Sequence, residues 1–197
     1  NLATTHRKAG RYDQALELYR EALSVGQAAL GQDHPDLAYT LDLMAGVPSL
    51  ATKPDEVLEL TRRAYEIRRK AFGPKAAVTA NSVYSLALLS HQRGELEEAQ
   101  KLFETSLTVF QKELGPDHPF TGRAAYRLGA LALEQGDRKR ALAYADVEAR
   151  ALLATTEEIF SFASERQRLA YSSRLRPYDL PASLGAAGET ATALLRY

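Results

Sequence analysis

Apolar residues recur along the chain at three- and four-residue steps, the spacing that gathers side chains on one face of an α-helix. Ala15, Leu16, Tyr19, Ala22 and Leu23 show it first. Val57, Leu58, Thr61, Ala64 and Tyr65 hold the same slots 42 residues later. Ala99, Gln100, Phe103, Ser106 and Leu107 follow, then Ala141, Leu142, Ala145, Glu148 and Ala149. Small residues at the first slot let two helices approach closely, and Tyr19 and Phe103 fill the space between pairs.

The punctuation repeats with the same period. Gly31, Gly73 and Gly115 stand 42 residues apart. "GRYDQA" begins at Gly10, "GELEEA" at Gly94 and "GDRKRA" at Gly136, so the second and third of these are again 42 apart. The missing member falls at residue 52, where "TKPDEV" stands. Leu2-Ala3, Met44-Ala45, Leu86-Ala87 and Leu128-Gly129 mark the same register. Three markers in one register mean an internal repeat. A period of this size in a chain rich in Leu, Ala, Glu and Arg predicts stacked helix pairs, each burying a stripe that it cannot cover alone.

Within each unit the pair is helix A then helix B. Residues 1–9 read as the tail of a helix A whose beginning is absent. Helix B of the first unit is expected at 12–30. The second helix A starts near Pro35 and meets Gly46-Val47-Pro48. A proline inside a regular helix removes a backbone bond and costs about 3 kcal/mol, so this helix should end early or kink before Pro48. Further helices are expected at about 54–71, 76–92, 95–113 and 119–134, with a last one from about 138 to about 160. The repeat array thus covers 1–160. Residues 161–197 leave the register and read as a helical extension, with a helix start at Ser164-Glu165 and a stop around Arg174–Pro177. A short segment over Tyr178–Leu184 and a final helix over Ala186–Arg196 complete it.

The joints between units carry nearly one sentence twice, "LGQDHPD" at 30–36 and "LGPDHPF" at 114–120. Gly31 and Gly115 suit a left-handed stop after helix B. Pro35 and Pro119 suit the first helical position, where a missing N–H costs nothing. Asp33 and Asp117 lie beside a positive helix start, and His34 and His118 fall in the cap region. The third joint, "GPKAA", has neither Asp nor His. Asp-His-Pro is therefore read as a structural joint and not as catalysis or a metal site.

These residues resemble the tetratricopeptide repeat, a small-residue ladder on a helix–turn–helix. The ordinary repeat has about 34 residues; the extra length here adds about one turn to each helix. With "LG-x-D-H-P" between units, residues 1–150 resemble the long repeats of kinesin light chain. The resemblance implies an all-α, right-handed αα superhelix whose A helices line a concave groove that binds extended peptides. It also implies an Asn-Asn pair on helix A that clamps a peptide backbone. Here those positions read Asp42-Leu43, Tyr84-Ser85 and Tyr126-Arg127, and Asn1 alone matches. "SERQRLAY" followed by "LRPYDLPASL" resembles the segment joining such arrays to a CHAT domain, a caspase-like peptidase fold, in bacterial multidomain proteins. No catalytic residue of that domain falls within this chain.

Composition narrows the function. Lys+Arg and Asp+Glu number 25 each, for a formal net charge of zero, and 45% of residues are hydrophobic. A core can form, and a dedicated nucleic-acid or membrane-surface binder is disfavoured. There is no Cys, which excludes a disulfide scaffold, a thiolate metal site and a cysteine nucleophile within these residues and fits a cytoplasmic location. No apolar run approaches the roughly 20 residues of a membrane span. The first residue is Asn, so the chain is read as a piece of something longer.

Candidate chemistry is sparse. Glu97-Glu98 and Glu157-Glu158 are adjacent pairs, which point to different sides of a helix. His6 and His91 have no companion at ligand spacing, and no nucleotide loop or hydrolase motif is present. Arg62, Arg63, Arg68, Arg69 and Lys70 read as a solvated helix face with Glu59 and Glu66 as partners. No enzyme activity, cofactor or metal is expected. The expected function is that of a scaffold binding a protein or peptide in a groove formed by Tyr39, Asp42, Asn81, Tyr84, Ser85, Arg123, Tyr126 and Arg127. For Tyr84 and Tyr126 two readings stand, contact with a partner or packing between A helices. The alternatives are a regulatory region of a CHAT peptidase, with the adjacent domain as partner, and a self-associating structural module.

Overall fold

The structure is a computed structural model and describes residues 2–162. These residues form α1 (Leu2–Lys8), α2 (Tyr12–Leu30), α3 (Pro35–Ala45), a 3-10 turn at Pro48–Leu50, α4 (Pro54–Phe72), α5 (Ala77–Gln92), α6 (Leu96–Glu113), α7 (Pro119–Glu134) and α8 (Arg138–Phe162). No strand occurs among the described residues. Helices α2 and α7 have the bounds expected from the pattern, and α3 ends before Pro48 as its sequence requires. The expectations for 163–197 lie outside the described residues.

Local chemistry sets the ends. Pro35, Pro54 and Pro119 each open a helix at its first turn. The A-to-B turns at Gly10, Gly94 and Gly136 close with paired bonds. In the first, Gly10 N–H donates to Arg7 O (3.1 Å) and Arg11 N–H to His6 O (2.9 Å). In the last, Gly136 N–H donates to Leu133 O (2.9 Å) and Asp137 N–H to Ala132 O (2.8 Å). This is the Schellman closure of orphan carbonyls.

The B-to-A joints differ from expectation. Gly31 sits at φ 89°, ψ 162° and Gly73 at φ 82°, ψ 165°. That is the extended positive-φ region, essentially reserved for glycine, and not the left-handed helical stop. The chain must leave helix B straight in order to start the next helix A, so it extends here instead of curling back.

Two compact units divide the chain, Asn1–Val109 and Phe110–Tyr197. In the first, α1 packs on α2, α2 on α3, α3 on α4 and α4 on α5. Ala15, Leu16 and Tyr19 cluster with Met44, Val47 and Leu50. A neighbouring cluster joins Leu37, Ala38 and Leu41 to Ala64 and Ile67, and half-buried Leu23 and Leu60 touch both. Val47 and Leu50, from the interruption itself, are each 1% exposed. The broken helix therefore keeps its apolar layer while losing its helical turn.

In the second unit α7 packs on α8. The helices come close at Gly122, where a Cβ would lie 2.8 Å from the Cβ of Ala151. Small residues are what permit this approach.

The apolar slots behave as the register predicts, with one instructive departure. Ala15, Ala99 and Ala141 are buried, as are Ala64 and Ser106, yet Ala22 in the same slot is exposed. Helix α1 has 7 residues where α5 and α7 have 16. It covers only the first part of α2, so the later slots of α2 lack the partner that buries their equivalents.

Candidate partner-binding cleft

The cleft begins with a missing turn. Helices α3 and α7 start at equivalent positions, but α3 has 11 residues and α7 has 16. The difference exceeds one helical turn of about 3.6 residues. Gly46 N–H closes α3 onto Asp42 O at 3.0 Å, and the chain turns through Pro48–Leu50 into α4. An open cleft of about 650 Å³ lies where the helix stops. One wall is Asp42, Ala45, Val47 and Pro48; the floor includes Val57 and Thr61 of α4. The other wall is α5, through Asn81, Ser85, Leu88, Leu89 and Gln92.

Of the expected groove residues, Asp42, Asn81 and Ser85 converge on this cleft. Asp42 is not a free acid. Its Oδ2 accepts from Arg68 Nη2 at 2.5 Å, and Arg68 Nη1 donates to Ser82 Oγ at 2.6 Å. The Arg68 side chain is 13% exposed and Ser82 is buried. One guanidinium thus ties α3, α4 and α5 together, with hydrogen bonds on both sides of a partly buried ion pair. Ser85 Oγ donates to Asn81 O at 3.1 Å, and Thr61 Oγ1 to Val57 O at 2.8 Å.

The remaining candidates lie elsewhere. Tyr39 on α3 is exposed and does not line the cleft. Tyr84 is buried, its ring edge-on to Phe103. In the second unit Arg123, Tyr126 and Arg127 are all exposed on α7. Their spacing places them on one helix face. The Arg123 guanidinium lies over the Phe120 ring at 5.4 Å, and that of Arg127 over Tyr126 at 5.7 Å. Leu88, Leu89 and Gln92 carried no sequence signal of their own, and Thr61 was read only as a packing slot of helix B. The signal that could have found them is the Gly46-Val47-Pro48 interruption, which opens the space they face.

The basic cluster on α4 is largely committed to ion pairs. Arg68 turns inward to Asp42, Arg69 pairs with Glu66 at 2.9 Å, and Lys70 pairs with Asp33 at 2.8 Å. The hydrogen bond and charge of Glu66 raise the pKa of the exposed Arg69 further. Asp33 therefore serves Lys70, while the cap acceptor at that joint is His34 Nδ1, 3.3 Å from Asp36 N. At the equivalent joint His118 Nδ1 accepts from Phe120 N–H at 3.1 Å. Among the described residues no cluster of His, Cys, Asp and Glu could hold a metal. None of their helices is long and apolar enough to cross a membrane.

Repeated αα pairs in a fixed register, with glycine and proline at the joints, define an all-helical solenoid protein. The Tetratricopeptide repeat family model matches residues 1–70 and 75–151, and the chain belongs to that family. Its structure is similar to BtubC (BKLC) from P. vanneervenii, with a TM-score of 0.67 and 25% identity over 76% of this chain. The match spans 59% of the BtubC chain. It is also similar to a Podosopora anserina kinesin-light-chain-type protein of nearly identical TPR-like repeats. There the TM-score is 0.61 at 18% identity, over 87% of this chain and 89% of that one, a likeness of fold alone. No curated protein sequence matches the chain significantly. Tetratricopeptide repeats generally mediate protein–protein interaction.

Proposed function

We propose that this chain binds an extended peptide segment of a partner protein across the face formed by α3 and α5. The observation that carries the reading is the convergence of Asp42, Asn81 and Ser85, from two different A helices, on one open cleft. Such a cleft offers apolar walls for side chains and amides for a peptide backbone, the composition of ordinary ligand sites. On α7, exposed Tyr126 with Arg127 over its ring presents the kind of aromatic–cation surface that is enriched at interfaces.

A random-peptide phage library selected on the purified chain tests the proposal. Selected peptides, titrated by calorimetry, should lose about tenfold in affinity (~1.4 kcal/mol) with Asn81→Leu. Peptides selected on the α7 surface should instead be weakened by Arg127→Glu. Failure to select any peptide, or affinity indifferent to both changes, would reject the reading.

A further inference from the structure

We infer that the cleft at the end of α3 is a preformed pocket for one uncharged, apolar side chain of the bound peptide. This inference rests on the peptide-binding reading above and adds the class of residue recognised.

Three observations lead to it. The first is the origin of the space. Helix α3 stops 5 residues short of the length of α7, and Leu88 and Leu89 of α5 still face the gap. The apolar lining is that of an interhelical contact whose partner turn is absent. The cleft is also held open, because Val47 and Leu50 anchor the interruption in the core at 1% exposure each. A pocket fixed in this way needs no reorganisation to admit a side chain.

The second is charge. Among the described residues Asp42 is the only ionisable one lining the cleft, and Arg68 already pairs with it. A lysine or glutamate side chain entering there would lose hydration and find no opposite charge to replace it. An aliphatic side chain has no charge to desolvate and gains contact with the half-buried Val57, Leu88 and Leu89.

The third is the inventory of polar groups. The hydroxyls of Thr61 and Ser85 donate back to their own helices. The side-chain amides of Asn81 and Gln92 have no such bond among the described residues. Each carries both a donor and an acceptor. They suit the backbone N–H and C=O that flank an inserted side chain. At about 650 Å³ the open cleft has room for an inserted side chain together with the peptide backbone that flanks it.

The test uses small probes and the isotope-labelled chain. N-acetyl-leucinamide, titrated into the millimolar range, should shift the methyl signals of Val57, Leu88 and Leu89 and the side-chain amides of Asn81 and Gln92. N-acetyl-lysinamide and the amide of N-acetyl-glutamate should leave them in place. Ala51→Trp, at an exposed lining position with helical φ and ψ, should plug the mouth and abolish the leucine response while the thermal melt is unchanged. The inference is overturned if leucine amide leaves these signals unmoved, if the charged probes move them equally, or if Ala51→Trp has no effect. Library-selected peptides that move the Asn81 amide but not the methyl signals would also overturn it, while leaving the peptide-binding reading intact. A leucine response in the absence of any selected peptide would keep the pocket and remove the broader reading.

Discussion

The ring of Tyr84 meets the ring of Phe103 edge-on, with centroids 5.4 Å apart and planes inclined at 61°. Phe103 is 1% exposed and Tyr84 5%. The contact joins α5 to α6 and removes Tyr84 from the surface, whereas Tyr126, in the same register on α7, is 43% exposed. Two tyrosines 42 residues apart thus play different parts.

Loss of this contact is the largest stability effect expected of a single side chain here. Phe103→Ala should cost about 3–5 kcal/mol, the range for a buried aromatic. Tyr84→Leu keeps much of the volume and should cost about 1–2 kcal/mol. The double mutant should fall short of additivity by about 0.5–1.5 kcal/mol, the worth of an edge-to-face pair. Urea titrations of the four proteins measure all three quantities. Strict additivity would mean that the rings merely share a neighbourhood.

Thr79 and Thr121 occupy one repeat position and should respond oppositely to the same substitution. Both are 0% exposed. Thr121 Oγ1 donates to Gly115 O at 2.8 Å, whereas Thr79 Oγ1 is buried without a partner. A buried hydroxyl with no bond is destabilising, and valine has nearly its shape. Thr79→Val should therefore stabilise by about 1 kcal/mol, and Thr121→Val should destabilise by a similar amount. Thermal melts of both variants decide the point.

The cap residues offer another internal comparison. His118 and Ala76 both stand at helix starts with φ −75° and ψ 141°. His118 accepts the Phe120 N–H, while Ala76 makes no side-chain cap bond. His118→Ala should cost about 1 kcal/mol and Ala76→Ser should gain about as much. Equal stability of Ala76→Ser and the parent would mean that solvent already serves those N–H groups as well as a side chain can.

How much of this was legible in the letters follows from where each feature gets its cause. Helix ends at Pro35, Pro54 and Pro119, and the breaks at Gly10, Gly94 and Gly136, arise from local stereochemistry, so one residue type at the right interval announces them. The early stop of α3 was readable from Pro48 for the same reason. The exposure of Ala22 was not, because its slot is defined by α2 but its burial depends on the length of α1. Tyr84 and Tyr126 share a register, and only the neighbouring side chain separates their fates. The cleft was half visible. Asp42, Asn81 and Ser85 could be placed on A helices, but Leu88, Leu89 and Gln92 matter only because a turn elsewhere is missing.

Glu148 gives the chain a pH dependence that its repeat position explains. It stands in the slot held by Ala22, Ala64 and Ser106, where a small residue belongs, and it is partly buried on α8. Burial disfavours its charged form and pushes the carboxyl up from 4.5 to about 7. The unfolded chain loses that proton near pH 4.5, whereas the folded chain keeps it until about pH 7. Between those values the folded state binds more protons, so stability falls as the pH rises and levels off above pH 7. One proton would give at most about 1.4 kcal/mol per pH unit, and partial exposure makes the slope smaller, with a total of about 1–2 kcal/mol. Urea titrations across this window should show the slope in the parent chain and its loss in Glu148→Gln, which should also be the more stable protein at pH 8. Glu148→Ala should behave alike, since alanine is the residue this slot holds in two other repeats. A parent and a glutamine variant with the same slope would show that water reaches the carboxylate freely in the folded chain.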